Sequence, residues 1–274
     1  MNVLLIGRNS FIGHHLKYYL NKKLRIKIKD YKEVINKKVN FFNKFNYIIN
    51  CTSNRSYVEK RYILKNDFDY QIAKKINKSK TNLVFLSSRK IYIPKANISE
   101  TSRIKPKCNY SKNKFITEKR LKKILKKRVL ILRISNLIGY RKYKNKRKLH
   151  KTFIDVFFEN INKGLILDNK NIYKDFISMK KFCEIVKKLL LNNITGTYNI
   201  SIGKRVYLKD ITSWLNFYNS KGVKIIENFE TKNNRESFYL NNKKLMKTIN
   251  IKNSLSELKN ECMKISKFYF NKNA

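Results

Sequence analysis

The segment "NVLLIGRNSFIGHHLKYYL", residues 2–20, decides the fold class of this chain of 274 residues. Its apolar run ends at Gly7, and apolar residues then recur at helical spacing between Phe11 and Leu20. A short apolar run bounded by glycine indicates a buried strand, and a spacing of three to four indicates a helix. The segment therefore predicts a β-strand, a glycine turn and an α-helix.

The turn resembles those that bind the pyrophosphate of a dinucleotide at a helix N-terminus. Gly7, Ser10 and Gly13 occupy its three characteristic positions, and Phe11 and Ile12 open the helix. Ser10 stands where a glycine normally lets the backbone approach the pyrophosphate closely. Because serine is small and a good N-cap, we expect weakened dinucleotide binding and not its loss.

Strand patterns alternate with helix patterns through the first half of the chain. The later strands are predicted at "LRIKIK" (24–29), "NYIINC" (46–51), "NLVFLSS" (82–88) and "RVLILRIS" (128–135). A helix pattern, "ILKNDFDYQIAKKI" (63–76), lies between the third and fourth strands. Such alternation predicts an α/β fold with a Rossmann-type, doubly wound parallel sheet.

The rhythm loosens near residue 140, which sets the expected domain division. We predict an NAD(P)-binding Rossmann domain at residues 1–140, with a return segment around 175–203. A smaller C-terminal α/β substrate-binding part is expected at 141–274. No proline-rich linker separates the two, because the chain has only two prolines.

Basic residues dominate the composition, giving a formal net charge of +46. Lysines occur throughout the chain, and only "RKYKNKRKLHK" (141–151) concentrates them strongly. We interpret the charge as mainly compositional, with no specific nucleic-acid partner. Nucleic-acid binding through counterion release is the alternative.

Localisation and metal binding are judged from what the sequence lacks. No apolar stretch reaches the length of a membrane-spanning helix, and no secretion signal opens the chain. The four cysteines have no CxxC spacing, which argues against a zinc site and a disulfide framework. We therefore expect a cytoplasmic protein with no membrane partner and no metal.

An acid/base site is predicted in the segment that follows the fourth strand. Tyr110 and Lys114 lie four residues apart in a helix pattern, so they share one helix face. A tyrosine has an ordinary pKa of about 10, and an ammonium about 4 Å away stabilises the phenolate. Such a tyrosine can exchange a proton with a carbonyl or an alcohol. Ser88 ends a parallel strand, where α/β sheets place ligand-contacting groups, so its hydroxyl can donate to the same oxygen.

Several segments, in the same order along the chain, identify a family resemblance. They are "VFLSSRKIYI" (84–93), "ETSRIKPKCNYSKNK" (100–114), "LRISNLIG" (132–139), "YKDFISMKKFCEIVKKLL" (173–190), "GTYNISIGKRVYLKDI" (196–211) and "FYLNNKKLMKTI" (238–249). With the glycine turn, they resemble the extended short-chain dehydrogenases/reductases. This is the NAD-dependent epimerase/dehydratase family of nucleotide-sugar epimerases, dehydratases and reductases.

The resemblance implies a catalytic triad and a cofactor of NAD or NADP. Tyr110 would be the acid/base, Lys114 would favour its phenolate, and Ser88 would hold the substrate oxygen. Asp30 ends the second strand, where an acid binds the adenosine ribose and favours NAD; an ordinary turn residue is the alternative. Asn66 corresponds to a helix start near the cofactor, with a plain N-cap as the alternative.

Two basic residues keep NADP as an alternative cofactor. Arg8 and Lys29 could instead meet a 2′-phosphate. The family's positions on the nucleotide diphosphate of the substrate correspond to Asn136, Lys174 and Arg235. Lys174 replaces the usual arginine and acts as a point charge without a bidentate fork.

The implied reaction is reduction of a nucleotide-linked 4-keto sugar. A nucleotide-sugar 4-epimerase with the same triad is the first alternative, and a non-catalytic RNA-binding or regulatory relative is the second. Arg89 and Lys90 follow Ser88 where the family's 4,6-dehydratases carry Asp-Glu, which argues against dehydration. The expected partner is a nucleotide-diphosphate sugar, and a homodimer is left open.

Overall fold

The computed structural model describes residues 1–21, 23–140, 152–168, 171–220, 224–227, 237–252 and 254–271. The strands are β1 (Asn2–Ile6), β2 (Arg25–Lys29), β3 (Tyr47–Asn50), β4 (Asn82–Ser88), β5 (Val129–Ile134), β6 (Asn136–Ile138), β7 (Leu165–Asp168), β8 (Tyr173–Lys174), β9 (Phe176–Ser178), β10 (Gly196–Ile200), β11 (Val206–Tyr207) and β12 (Lys224–Glu227).

The helices are α1 (Phe11–Leu20), α2 (Tyr31–Ile35), α3 (Val39–Phe42), α4 (Arg55–Glu59), α5 (Phe68–Lys75), α6 (Asn109–Leu125), α7 (Phe153–Ile161), α8 (Met179–Leu191), α9 (Leu208–Asn216), α10 (Lys243–Ile249) and α11 (Leu255–Asn271). Within the described ranges, no helix combines the length and the hydropathy needed to cross a membrane.

The central element is a sheet of six parallel strands in the order β10-β5-β4-β3-β1-β2. The predicted Rossmann-type α/β fold is therefore confirmed. Chain order reverses at β1, since β2 lies on one side of it and β3 on the other. In open α/β sheets, ligands bind at the carboxyl ends of the strands beside such a reversal.

Helices cover both faces of the sheet, and β1 shows why. Val3 and Leu5 join one hydrophobic core with residues of α1 and α8. Leu4 and Ile6 point the other way, into a second core with residues of α5 and α6. All four side chains are fully buried. A strand buried on both faces is continuously apolar, which explains the sequence pattern.

The larger core extends beyond residue 140 without a break. It joins Leu5 of β1 and Leu132 of β5 to Ile211 of α9 and Leu258 of α11. Strand β10 pairs with β5, so a segment from the expected return region completes the sheet edge. The proposed division of the chain at 140 stays a prediction.

One helix begins later than its sequence pattern predicts. Residues Leu64–Asn66 form a short 3-10 turn, and α5 starts at Phe68. Asp67 is the N-cap, because its Oδ1 accepts a hydrogen bond from the amide of Tyr70 at 3.0 Å. The expectation that Asn66 begins or caps this helix is therefore wrong.

Candidate active site

Two glycines shape the turn between β1 and α1. Gly7 has a φ of +105°, and a Cβ there would lie 2.5 Å from Cγ2 of Thr52. A Cβ on Gly13 would lie 2.4 Å from the carbonyl oxygen of Gly7. Neither position has room for a side chain. The short distance between Gly13 and the Gly7 carbonyl shows that the helix N-terminus lies close against the end of β1.

Ser10 caps α1, as its residue type predicts. Its Oγ accepts a hydrogen bond from the amide of Gly13 at 2.9 Å and donates one to the carbonyl of Gly7 at 3.1 Å. The hydroxyl thus satisfies the third amide of the helix. Phe11 and Ile12, the first two residues of the helix, line an adjoining cleft.

This cleft has a volume of about 300 Å³ and opens at the carboxyl edge of the sheet. It is lined by Phe11, Ile12, Leu86, Ser87, Ser88, Arg89, Lys90, Tyr110, Ile134, Ser135, Asn136, Leu137, Thr152 and Phe153. Five of the predicted site residues therefore line one cleft: Phe11 and Ile12 for the cofactor, Ser88 and Tyr110 for catalysis, and Asn136 for the substrate.

Ser88 lies at the end of β4 with most of its surface buried. Its Oγ accepts a hydrogen bond from the amide of Lys90 at 3.2 Å. A hydroxyl that accepts one bond can still donate its own hydrogen to another oxygen. Ser88 is thus suited to donate to an oxygen atom in the cleft.

Lys114 lies behind Tyr110 and is almost completely buried. Its Nζ is 5.8 Å from the ring centroid of Tyr110, 5.5 Å from that of Tyr57 and 4.6 Å from that of Phe85. The predicted pair on one helix face is therefore adjacent in space.

Asp69 contributes a carboxyl group to the same buried region. Its Oδ1 accepts a hydrogen bond from Nδ2 of Asn50 at 3.1 Å. Burial raises the pKa of Asp69 to about 7, although the charge of Lys114 and the bond from Asn50 oppose that rise. Sequence reasoning did not single out Asp69.

Asp30 lies beside the glycine turn. The amide of Gly7 donates to the carbonyl of Lys29 at 2.9 Å, so β2 ends next to β1. Asp30 is exposed, and its amide donates to Oε2 of Glu33 at 2.6 Å. Glu33 also pairs with the ammonium of Lys29 at 2.6 Å. Lys29, which could have met a 2′-phosphate, thus has a carboxylate partner.

The other predicted ligand-binding residues are only partly brought together. Asn136 lines the cleft, and its Nδ2 donates to the carbonyl of Asp175 at 2.9 Å. Lys174 on β8 and Asn66 are half-buried and do not line it. Arg235 lies outside the described residues, as does the basic segment 141–151.

Sequence reasoning also missed a buried hydrogen-bond network next to the cleft. Glu118 accepts from Oγ of Ser87 at 2.5 Å and from Nη2 of Arg133 at 2.7 Å. Nη1 of Arg133 donates to the hydroxyl of Tyr92 at 2.7 Å. A charged residue within the apolar strand "VLILRI" was the available signal, since a buried charge needs a partner.

The sequence profile of the NAD dependent epimerase/dehydratase family matches residues 3–201. This match covers the glycine turn, Ser88, Tyr110 and Lys114. The family's dependence on NAD agrees with the expected nicotinamide cofactor. No curated protein matches the chain.

Solved structures of similar architecture include three nucleotide-sugar enzymes. A UDP-N-acetylglucosamine 4-epimerase from Methanobrevibacter ruminantium has a TM-score of 0.79 and 16% identity, covering 99% of this chain and 98% of its own. A dTDP-4-dehydrorhamnose reductase from Clostridium acetobutylicum has a TM-score of 0.75 and 16% identity, covering 98% and 99%. A UDP-glucuronic acid 4-epimerase from Bacillus cereus, solved with NAD, has a TM-score of 0.75 and 15% identity, covering 96% of both. At these identities the similarity establishes a shared fold.

Proposed function

The chain belongs to the NAD-dependent epimerase/dehydratase family, and we propose that it exchanges hydride at C4 of a nucleotide-diphosphate sugar. Reduction of a 4-keto sugar is the first candidate reaction. The observation that carries this proposal is the single cleft that joins Ser88 and Tyr110 to the N-terminus of α1, with Lys114 behind the tyrosine ring.

The turn between β1 and α1 fits a dinucleotide, since Gly7 and Gly13 keep the helix N-terminus close to the sheet edge. The backbone at Phe11 and Ile12 would hold the pyrophosphate, and Asp30 would hold the adenosine ribose. The pairing of Lys29 with Glu33 supports NAD over NADP. When bound, the nicotinamide supplies the hydride to the sugar carbon.

The three catalytic side chains would act on the oxygen attached to that carbon. Ser88 donates a hydrogen bond that holds the carbonyl oxygen in place. Tyr110 gives its hydroxyl proton to the same oxygen as the carbon is reduced, which leaves an alcohol and a phenolate. The buried ammonium of Lys114 stabilises the phenolate until the tyrosine regains a proton.

Epimerisation at C4 is the second candidate, because it uses the same three side chains. The match to the Methanobrevibacter 4-epimerase extends over 98% of that enzyme, so chain length does not distinguish a reductase from an epimerase. The two reactions differ in whether the dinucleotide is consumed.

An RNA-binding or regulatory role is less well supported than either reaction. A non-catalytic role does not explain why Ser88 and Tyr110 line one cleft with a buried lysine next to the tyrosine ring. The high positive charge is spread along the whole chain and does not by itself point to a nucleic-acid site.

The test is incubation with NADH or NADPH and a panel of nucleotide 4-keto sugars, followed at 340 nm and by NMR of the product. Stoichiometric oxidation of the cofactor with a new 4-hydroxyl group supports the reductase. Conversion of a nucleotide sugar into its C4 epimer without net oxidation supports the epimerase. Absence of both reactions, with no dinucleotide binding, would reject the proposed function.

A further inference from the structure

Two cationic residues follow the catalytic serine and line the same cleft. Arg89 and Lys90 open a short 3-10 turn, Arg89–Ile91, for which Ser88 is the N-cap. The hydrogen bond from the amide of Lys90 to Oγ of Ser88 fixes this turn against the serine. A substrate oxygen held by Ser88 therefore lies near the part of the backbone that carries both cations.

Arg89 is oriented by an aromatic ring from the C-terminal part of the chain. Its Cζ lies 3.8 Å from the ring centroid of Phe238, which is a stacking distance. Phe238 is itself fully buried with Ile91 and Leu240, so the ring is a fixed support. Stacking uses the flat face of a guanidinium, whereas its N–H donors lie in the plane and suit a carboxylate.

Lys90 adds a second positive charge beside the acid/base. Its Nζ lies 6.0 Å from the ring centroid of Tyr110, and the side chain is exposed. None of the described residues that line the cleft is acidic. The positive charges of Arg89 and Lys90 favour a negatively charged group on the substrate at this end of the cleft.

We propose that Arg89 and Lys90 bind a carboxylate carried by the sugar itself, so that the substrate is a nucleotide-linked sugar acid. This inference rests on the proposed function, which places C4 of the sugar at Ser88 and Tyr110. The carboxylate of a uronic acid is bonded to C5, the ring neighbour of C4. It would thus reach the residues that directly follow Ser88.

A sugar acid as substrate also affects which of the two candidate reactions is favoured. A 4-keto uronic acid is a β-keto acid, a class of compound that loses carbon dioxide readily. It is a poor free substrate for a reductase, whereas an epimerase forms the ketone only while the sugar stays bound. The inferred substrate class therefore favours 4-epimerisation.

The experiment measures binding to the NAD-loaded protein by calorimetry. UDP, dTDP and GDP are compared first, and the best nucleotide is then used as a matched sugar pair, such as UDP-glucuronic acid and UDP-glucose. These two differ only in a carboxylate or a hydroxymethyl group. We expect wild type to bind the acid at least about tenfold more tightly, the scale of one hydrogen-bonded charge.

The variant Arg89→Gln/Lys90→Gln should lose that preference while its affinity for the neutral sugar changes little. Lys90→Gln alone, at an exposed position, should lose part of it and serves if the double variant does not fold. The matched control is Lys112→Gln/Lys119→Gln, which removes two exposed charges from α6 outside the cleft. The control should keep the wild-type preference.

Equal losses of affinity for the acid, the neutral sugar and the nucleoside diphosphate would overturn the inference, because the cations would then bind the diphosphate. A wild type without preference for the acid would also overturn it. Either result, combined with turnover of the neutral sugar, leaves the proposed function standing. No binding and no turnover of any nucleotide sugar would reject both.

Discussion

Glu118 and Arg133 form a buried ion pair, with Oε2 and Nη2 at 2.7 Å, between α6, which carries Tyr110, and β5, the strand beside Ser88. Replacing Glu118 with Gln would leave the guanidinium buried without a counter-charge. Breaking such a pair costs about 3–5 kcal/mol. We expect urea unfolding to show a loss of that size, whereas Glu59→Gln, in an exposed pair with Arg55, should change stability little. Equal losses of stability in Glu118→Gln and Glu59→Gln would show that the buried pair contributes no more to stability than the exposed pair.

Tyr110→Phe should lower kcat at least about 100-fold, because it removes the hydroxyl that exchanges the proton. Nucleotide-sugar affinity, measured by calorimetry, should change little. Tyr18→Phe, at an exposed position in α1, is the control and should keep wild-type turnover. Normal kcat in a pure Tyr110→Phe preparation would remove Tyr110 from the catalytic assignment.

Two substitutions of Ser10 are expected to separate its effect on helix capping from its effect on cofactor binding. Ser10→Ala loses the acceptor for the Gly13 amide and should cost about 1 kcal/mol, whereas Ser10→Gly should cost only a few tenths. Ser10→Gly should also bind NAD as well as or better than wild type, since backbone access to the pyrophosphate is restored. Chemical denaturation and calorimetry measure the two effects. Loss of NAD binding in Ser10→Gly would mean that the hydroxyl is itself a ligand.

Asp69 makes stability depend on pH. Its pKa is about 4 in an unfolded chain and about 7 in the fold, so the folded state binds the proton more tightly. This contribution is complete below about pH 4 and is lost as the pH rises to about 7. The Tm of Asp69→Asn relative to wild type should therefore increase between pH 4 and pH 8. Asp210→Asn, on α9, is the control, and a Tm difference for Asp69→Asn that is independent of pH would contradict the assignment.

The basic segment 141–151 should bind nucleic acid without sequence preference. Affinity should fall by about 10³ to 10⁵ between 50 and 200 mM salt if six to ten phosphates are neutralised. Changing the seven lysines and arginines of this segment to glutamine should weaken RNA and DNA retention on filters while leaving turnover largely intact. A hundredfold sequence preference at 150 mM salt would instead favour nucleic-acid recognition over the proposed enzymatic reaction as the function.

The strands could be predicted because each is a local pattern. "NVLLIG" and "NLVFLSS" contain continuous apolar runs, which are typical of a strand buried on both faces, and they form β1 and β4. The start of α5 could not be placed correctly, because Asp67 acts as N-cap while its carboxylate also binds the distant Thr117. Competition between neighbouring polar residues for one cap is decided by such tertiary contacts.

The candidate site was predictable where spacing determines geometry. Tyr110 and Lys114 share a face because four residues make slightly more than one helical turn. The Glu118–Arg133 pair and the stacking of Arg89 on Phe238 join segments far apart in sequence. No local periodicity encodes them, so they emerge only from the packed fold.

The pairing of β10 with β5 limits how the N-terminal part of the chain can be used in protein engineering. A fragment ending at residue 140 would carry an unpaired outer strand and an uncovered apolar face, both of which promote self-association. A transplantable unit must therefore reach at least Ile200, where that strand ends. Chimeras that exchange substrate specificity are better built by grafting loops around the cleft than by joining two halves of the chain.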